Sequence, residues 1–451
     1  MSKKILGALG VSLVSALCSQ AEPALPLSIT PPPALVVQAE SAPAPAPTAA
    51  PPMAPAEAAA PSPHLHPNLY GQPAVDCNAI EESCGPRFWA SAEYLLWWIK
   101  PADSPLPLVT TGSEQDPIPG GLGQPNTVII FGADNLNYNA ASGLRLSAGY
   151  WFNDSATFGI EGSYFVLERR SVSFQAAADG TGRPLIARPI VSAVDNGLNT
   201  ELTSLPDSGF TGSLNIRSDV RFQGWELNAV LAAFRDAGLK ADLVGGFRTL
   251  DLNEGLTFQD VLIPVVDGGF TFLGNGVSVG DIATDFDKFH TKNKFYGLQL
   301  GGRVEWQGER LSVGVLGKLA FGTTQQLLRI SGDTGLLSPT TGFAAVPGGV
   351  LAQITNIGEY YHDSWSFIPE LGINLNYQLT PSIRLLAGYS ILWWNNVLRP
   401  AEQIDGVVNR FLVPTDQVFG TGTAAARPTL LGFQESDFWA QGFNFGVHFQ
   451  Y

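Results

Sequence analysis

Eleven charged residues punctuate stretches that are otherwise apolar, small or amide-bearing: Glu93, Arg145, Glu161, Glu226, Asp242, Arg248, Arg303, Glu305, Lys318, Glu370 and Arg384. Six are acids and five are bases, and a nearly balanced set withdrawn from water must pair, because an unmatched buried ion costs several kcal/mol. Constellations suited to catalysis are thinner. His290 follows Asp285 and Asp287, and His362 precedes Asp363. An imidazole beside carboxylates can act as a general base, and two aspartates can hold calcium. No nucleophile motif or glycine-rich phosphate loop accompanies them, and solvated loop carboxylates are the commoner arrangement. The sequence therefore points to no enzyme, no cofactor and no metal. His64 and His66 lack further ligands nearby. Cys77 and Cys84, six residues apart, read as one small disulfide loop, since neither has a neighbouring cation that would favour a thiolate.

The elements that must position the eleven charges show a period of two. Ala90, Ala92, Tyr94, Leu96 and Trp98 oppose Ser91 and Glu93; Leu144, Leu146, Ala148 and Tyr150 oppose Arg145 and Ser147; Trp225, Leu227, Ala229 and Leu231 oppose Glu226 and Asn228. The alternation changes phase near Gly224, which predicts a bulge there. Continued to Tyr451, the pattern gives ten strands of about 12–16 residues, long enough to cross a membrane at a tilt. Short turns follow strands two, four, six and eight. The other connections, roughly 101–140, 168–213, 253–292, 325–363 and 398–435, approach 40 residues each. Some of them have room for hairpins, such as Ser171–Phe174 with Leu214–Ile216. The fold class is all-β: a transmembrane antiparallel barrel of about ten strands, within a range of 10–12, with short periplasmic turns and long extracellular loops.

Composition agrees. Charged residues make up 14% of 451, where soluble chains carry about 25%. A soluble sandwich would hide its apolar face and would need those missing charges outside. Aromatic residues at strand ends (Trp89, Trp97, Trp98, Tyr150, Trp151, Trp306, Trp393, Trp394) suit a membrane interface. A net charge of −15 excludes nucleic acid as a partner. At the N-terminus, Lys3 and Lys4 precede the apolar run Ile5–Leu17 and then Ser19-Gln20-Ala21, a secretory signal over residues 1–21. Lipidation at Cys18 is the alternative, although Leu17 does not fit that signal. Residues 22–75 read as a Pro/Ala-rich disordered linker in the periplasm, able to reach peptidoglycan or to serve as a plain spacer. Residues 76–86 hold the disulfide loop, and 87–451 the barrel.

Several spaced motifs, Gly85-Pro86-Arg87-Phe88-Trp89 followed by Glu93-Tyr94-Leu95-Leu96-Trp97-Trp98, Gly246-Phe247-Arg248 with Leu252 and Glu254, Asp285-x-Asp287 leading to Asn293-x-Phe295-Tyr296-Gly297, Trp393-Trp394, Val397-Leu398-Arg399-Pro400, Gln403-Ile404-Asp405 and Phe438-Trp439-Ala440-Gln441-Gly442, resemble a family of planctomycete outer-membrane β-barrel proteins of unknown function. The resemblance covers about residues 85–451 and implies location and architecture, with no reaction or substrate. The terminal Tyr451, with Phe449, Phe445 and Phe443, looks like the signal read by the barrel-assembly machinery. The ten-stranded omptin proteases, which work with Asp and His at the extracellular rim, resemble this chain in strand count alone. The expected function is a structural or surface-interaction role in the cell envelope, with outer-membrane lipid around the barrel and surface-layer components as partners of the loops. A narrow porin for small ions or solutes is the alternative.

Overall fold

Ten strands close into a single antiparallel ring because each carries one apolar face and leaves no edge unpaired when the first strand meets the last. The computed structural model describes residues 87–422, 427–430 and 432–451. The signal, the linker, Cys18, Cys77 and Cys84 lie outside the described residues. The strands are β1 Phe88–Ile99, β2 Ala140–Trp151, β3 Phe158–Leu167, β4 Phe210–Arg235, β5 Leu239–Pro264, β6 Ile282–Gln307, β7 Leu311–Ser338, β8 Gly358–Thr380, β9 Ile383–Leu398 and β10 Glu435–Gln450. Each pairs with its chain neighbours, and β1 closes on β10 from Trp89↔Gln450 to Ile99↔Ala440. The four short turns fall where the sequence places them, at one end of the barrel.

Strand length is where sequence and structure differ. Four of the strands, β4 to β7, run 26–28 residues, about twice the expected length. The expected loops 253–292 and 325–363 shrink to 265–281 and 339–357, because most of their residues continue the strands. The expected hairpin is present: Arg170–Ala177 pairs with β4, placing Phe174 opposite Ile216.

The extra length has a physical signature. On β5 the inward, buried positions are Asp242 and Arg248 in the first half and Leu250, Leu252, Leu256 and Phe258 in the second. The outward positions reverse in step, from Leu243 and Phe247 to Asp251, Asn253, Thr257 and Gln259. β4 and β6 invert at matching places. Near the turns the strands meet lipid outside and a polar lumen inside; beyond Trp225, Thr249 and Tyr296 they meet water outside and an apolar core inside. The phase change near Gly224 is therefore no bulge. Register runs unbroken from Arg221↔Asn253 to Ala232↔Asp242, and the irregularity lies between Ala232 and Phe234. The lipid-facing band includes Leu298, Leu300 and Ile373, with Leu300 75% exposed. Of the aromatic residues expected at the girdle, Trp98, Tyr150 and Trp306 face out, joined by Trp365, whereas Trp89 and Trp151 line the lumen and Trp97 and Trp394 point inward and are fully buried.

Candidate functional site in the barrel lumen

At the turn end the lumen holds a cavity of about 590 Å³, whose lining reaches the β2–β3 turn at Asp154–Ala156. All eleven charges singled out in the sequence line it. Arg303 binds Asp242 and Glu161, each at 2.7 Å. Arg248 bridges Glu226, Nε to Oε2 at 3.0 Å, and Glu370, while Lys318 reaches the same two carboxylates. Arg145 sits 3.5 Å from Glu93 and 3.9 Å from Glu370, and Arg384 sits 3.4 Å from Glu305. Arg235 joins Asp242. Arg235, Lys240 and Asp154 also line the cavity, so seven acids face seven bases. Their position beside the turns hid them from strand alternation. The signal that would have found Lys240 is its cross-strand partner Glu305.

Directly above, the bore turns apolar. Every strand contributes a buried side chain to one contiguous cluster, from Trp97 on β1 and Phe222 on β4 to Phe295 on β6, Trp394 on β9 and Phe438 on β10. These five are at most 1% exposed. Phe222 packs edge-on against Phe438 at 5.0 Å, and Trp394 lies 6.3 Å from Phe295. Each buried aromatic stabilises by about 1.5–3 kcal/mol, with about 0.5–1.5 more per ring pair. The two indole N–H groups donate to Asn444 at 2.8 Å and Thr324 at 3.0 Å, so no donor is stranded.

Loops fold back into the upper bore. Just past β9, Arg399 donates to both Glu254 carboxylate oxygens at 2.9 and 2.6 Å and to the Pro101 carbonyl at 2.8 Å. Neither side chain of this pair reaches water. Higher up, Arg188 from the third-to-fourth strand connection binds Asp260 at 2.8 Å and Asp287 at 2.7 Å. Asp287 also accepts from the Leu351 and Ala352 N–H groups. Burial, followed by the charges of Asp287 and Asp260, pushes the Asp285 carboxyl well above the usual range. Sequence reasoning missed Arg188 and Asp260. Glu254 and Arg399 entered only as parts of motifs.

The His and Asp groupings do not assemble. Asp285 and Asp287 face the bore while His290 faces out, as strand alternation dictates. His362 stacks on Phe433 at 4.8 Å. Among the described residues no cluster of ligands suited to a metal ion forms. At the loop end, burial raises the Glu402 carboxyl to about 6 from 4.5. An unfolded Glu402 releases its proton near 4.5, so between there and 6 the folded chain binds more protons and local stability falls as pH rises. Carboxyl-resolved NMR should find a midpoint near 6, and Glu402→Gln should remove that pH dependence.

Residues 89–451 match the family described as "Putative beta barrel porin-7 (BBP7)". Among solved structures the chain is similar to the outer membrane protease OmpT from Escherichia coli, at 8% identity and a TM-score of 0.38, over 81% of this chain and 97% of that one. It is also similar to a Pseudomonas aeruginosa FadL homologue, at 9% and 0.21 over 81% and 90%, and to the Ralstonia pickettii toluene transporter TbuX, at 7% and 0.15 over 81% and 90%. No curated protein matches the chain. With four-fifths of its length matched and a closed ten-stranded ring bearing an apolar lipid band, the chain belongs to the beta barrel porin-7 family of outer-membrane β-barrels.

Proposed function

We propose that this barrel is a sealed outer-membrane anchor that carries a rigid β-rich turret on the cell surface, and that it neither conducts solutes nor catalyses a reaction. The apolar layer drawn from all ten strands carries the reading, since a filled aromatic cross-section leaves no path for a hydrated ion. Below it, the ion-paired lumen acts as a structural filler, with seven charges of each sign neutralising one another. Above it, the strands continue as a water-exposed barrel packed with inward-folded loops, a shape suited to adhesion or to contact with surface-layer components. In this reading the linker of residues 22–75 reaches through the periplasm towards peptidoglycan. Phe443, Phe445, Phe449 and Tyr451, all outward and exposed, offer the terminal strand to the assembly machinery.

The cavity of about 590 Å³ favours the second reading, a narrow porin, for which the layer would have to open. Purified protein reconstituted in planar bilayers is expected to give no conductance steps above those of protein-free membranes. Reproducible steps that scale with protein would overturn the sealed reading.

A further inference from the structure

The outer wall of β4, β5 and β6 just beyond the lipid band differs in charge from the rest of the exterior. On β4 the outward residues past Trp225 are Gln223, Arg221, Asp219 and Arg217; on β6 those past Tyr296 are Lys294, Lys292, His290 and Lys288. β5, between them, contributes Asp251 and Asn253. Arg169 occupies Asp219 at 2.7 Å, so the two acids of this face are set against six bases in a chain of net charge −15. Lys292 stands 4.0 Å from Asp251 and Lys288 stands 3.8 Å from Asp333. Among the described residues Arg217 and Arg221 pair with no acid, and Lys294, opposite Asp251 in the ladder, leaves that carboxylate to Lys292. His290 is held below its ordinary range by burial, then by Arg329, with Lys292 and Arg169 adding to the effect against Asp219. Around the ring the sign reverses: past Trp365 on β8 come Asp363 and Glu359, and past Trp439 on β10 come Asp437 and Glu435.

Height decides what this patch meets. Lys294 lies two residues beyond the girdle residue Tyr296 and Lys292 four, about 7 and 13 Å along the strand. Arg221 is as far beyond Trp225. At a strand tilt of about 40° these are heights of roughly 5 and 10 Å, which place Lys294 in the headgroup layer and Lys292 and Arg221 just above it, within reach of their long side chains. Arg221 and Lys292 sit either side of Asn253 in one register row, about 10 Å apart across two strand spacings. Two long cationic side chains can converge on one group across that gap. Phosphate suits such a clamp, because it accepts several charge-assisted hydrogen bonds at once.

We propose that Arg221, Lys292 and Lys294 bind the phosphate of an anionic lipid in the outer leaflet, fixing a lipid to the β4–β6 side of the barrel. The site is independent of whether the bore conducts. Its test is native mass spectrometry of the full-length protein released from micelles doped with phosphatidic acid or with phosphatidylcholine. Wild type should retain phosphatidic acid preferentially. The triple variant Arg221→Gln, Lys292→Gln, Lys294→Gln should lose roughly 100-fold in apparent affinity, at about 1 kcal/mol for each charge near the surface. Arg183→Gln, in an extracellular loop, should leave retention unchanged, and a heat-modifiable gel shift shows that each variant folds. Equal retention of the two lipids, or a triple variant that keeps its preference, overturns the assignment. Displacement of the lipid by millimolar inorganic phosphate would assign the clamp to a free ion and also overturns it.

Discussion

Replacing Trp394 by alanine is expected to lower the unfolding free energy of the barrel by about 3–5 kcal/mol, the range for removing a large aromatic from a core that cannot collapse. The indole is fully buried and touches Phe222 and Phe295, which ten hydrogen-bonded strands hold at fixed spacing. Its N–H partner is not stranded by the change, because the Thr324 hydroxyl keeps Ser366 at 2.7 Å. The loss is therefore mostly cavity and packing. Trp365, of the same size but 77% exposed at the membrane interface, provides the comparison: Trp365→Ala should cost about 1 kcal/mol or less, in the range of ordinary surface changes. Denaturant unfolding in lipid vesicles, followed by gel mobility, measures both. Equal losses would mean that the layer is not a packed core. Trp394→Ala alone should still not conduct, since nine other strands continue to fill the layer.

The second large effect concerns Arg399. Arg399→Met should destabilise by about 3–5 kcal/mol, because it leaves the Glu254 carboxylate buried without its partner and frees the Pro101 carbonyl. Adding Glu254→Leu removes the stranded charge and should recover most of the loss, as replacing a whole buried pair by apolar groups is often neutral. The same unfolding assay separates the outcomes. A double variant no more stable than the single one would show that the bond to the Pro101 carbonyl, rather than the ion pair, holds the connection between β1 and β2 in place.

Which parts of this molecule the sequence discloses follows from what alternation can and cannot report. Period two reveals a strand and its two faces, so the ten strands, the turn end and the eleven charges of the lower lumen are legible without a structure. Alternation does not say which face is inside. Leu252, Leu256 and Phe258 continue the pattern of Leu243 and Phe247 one residue out of phase, and a bulge and a change of surrounding solvent look alike at that point. The same ambiguity sent Trp97 and Trp394 to the membrane interface when they belong to the buried apolar layer. Arg188 lay beyond reach for another reason. It comes from a connection remote in sequence from Asp260 and Asp287, and no local spacing announces which carboxylates a loop arginine will meet.

The order of the ring has a consequence for how such a chain is made. Nine of the ten ladders join strands adjacent along the chain, and the tenth joins residue 88 to residue 451. Four of those nine ladders are hairpins on the tight turns and the other five span the longer connections, so the loop closed by each stays far shorter than that closed by the tenth. The last ladder alone requires the first and last strands together, and an intermediate lacking it would offer two rows of bare amides to hydrocarbon. Closure is therefore expected to be the slowest step of folding. A lesion in β10 should act on the yield of inserted protein far more than on the stability of the molecules that complete it.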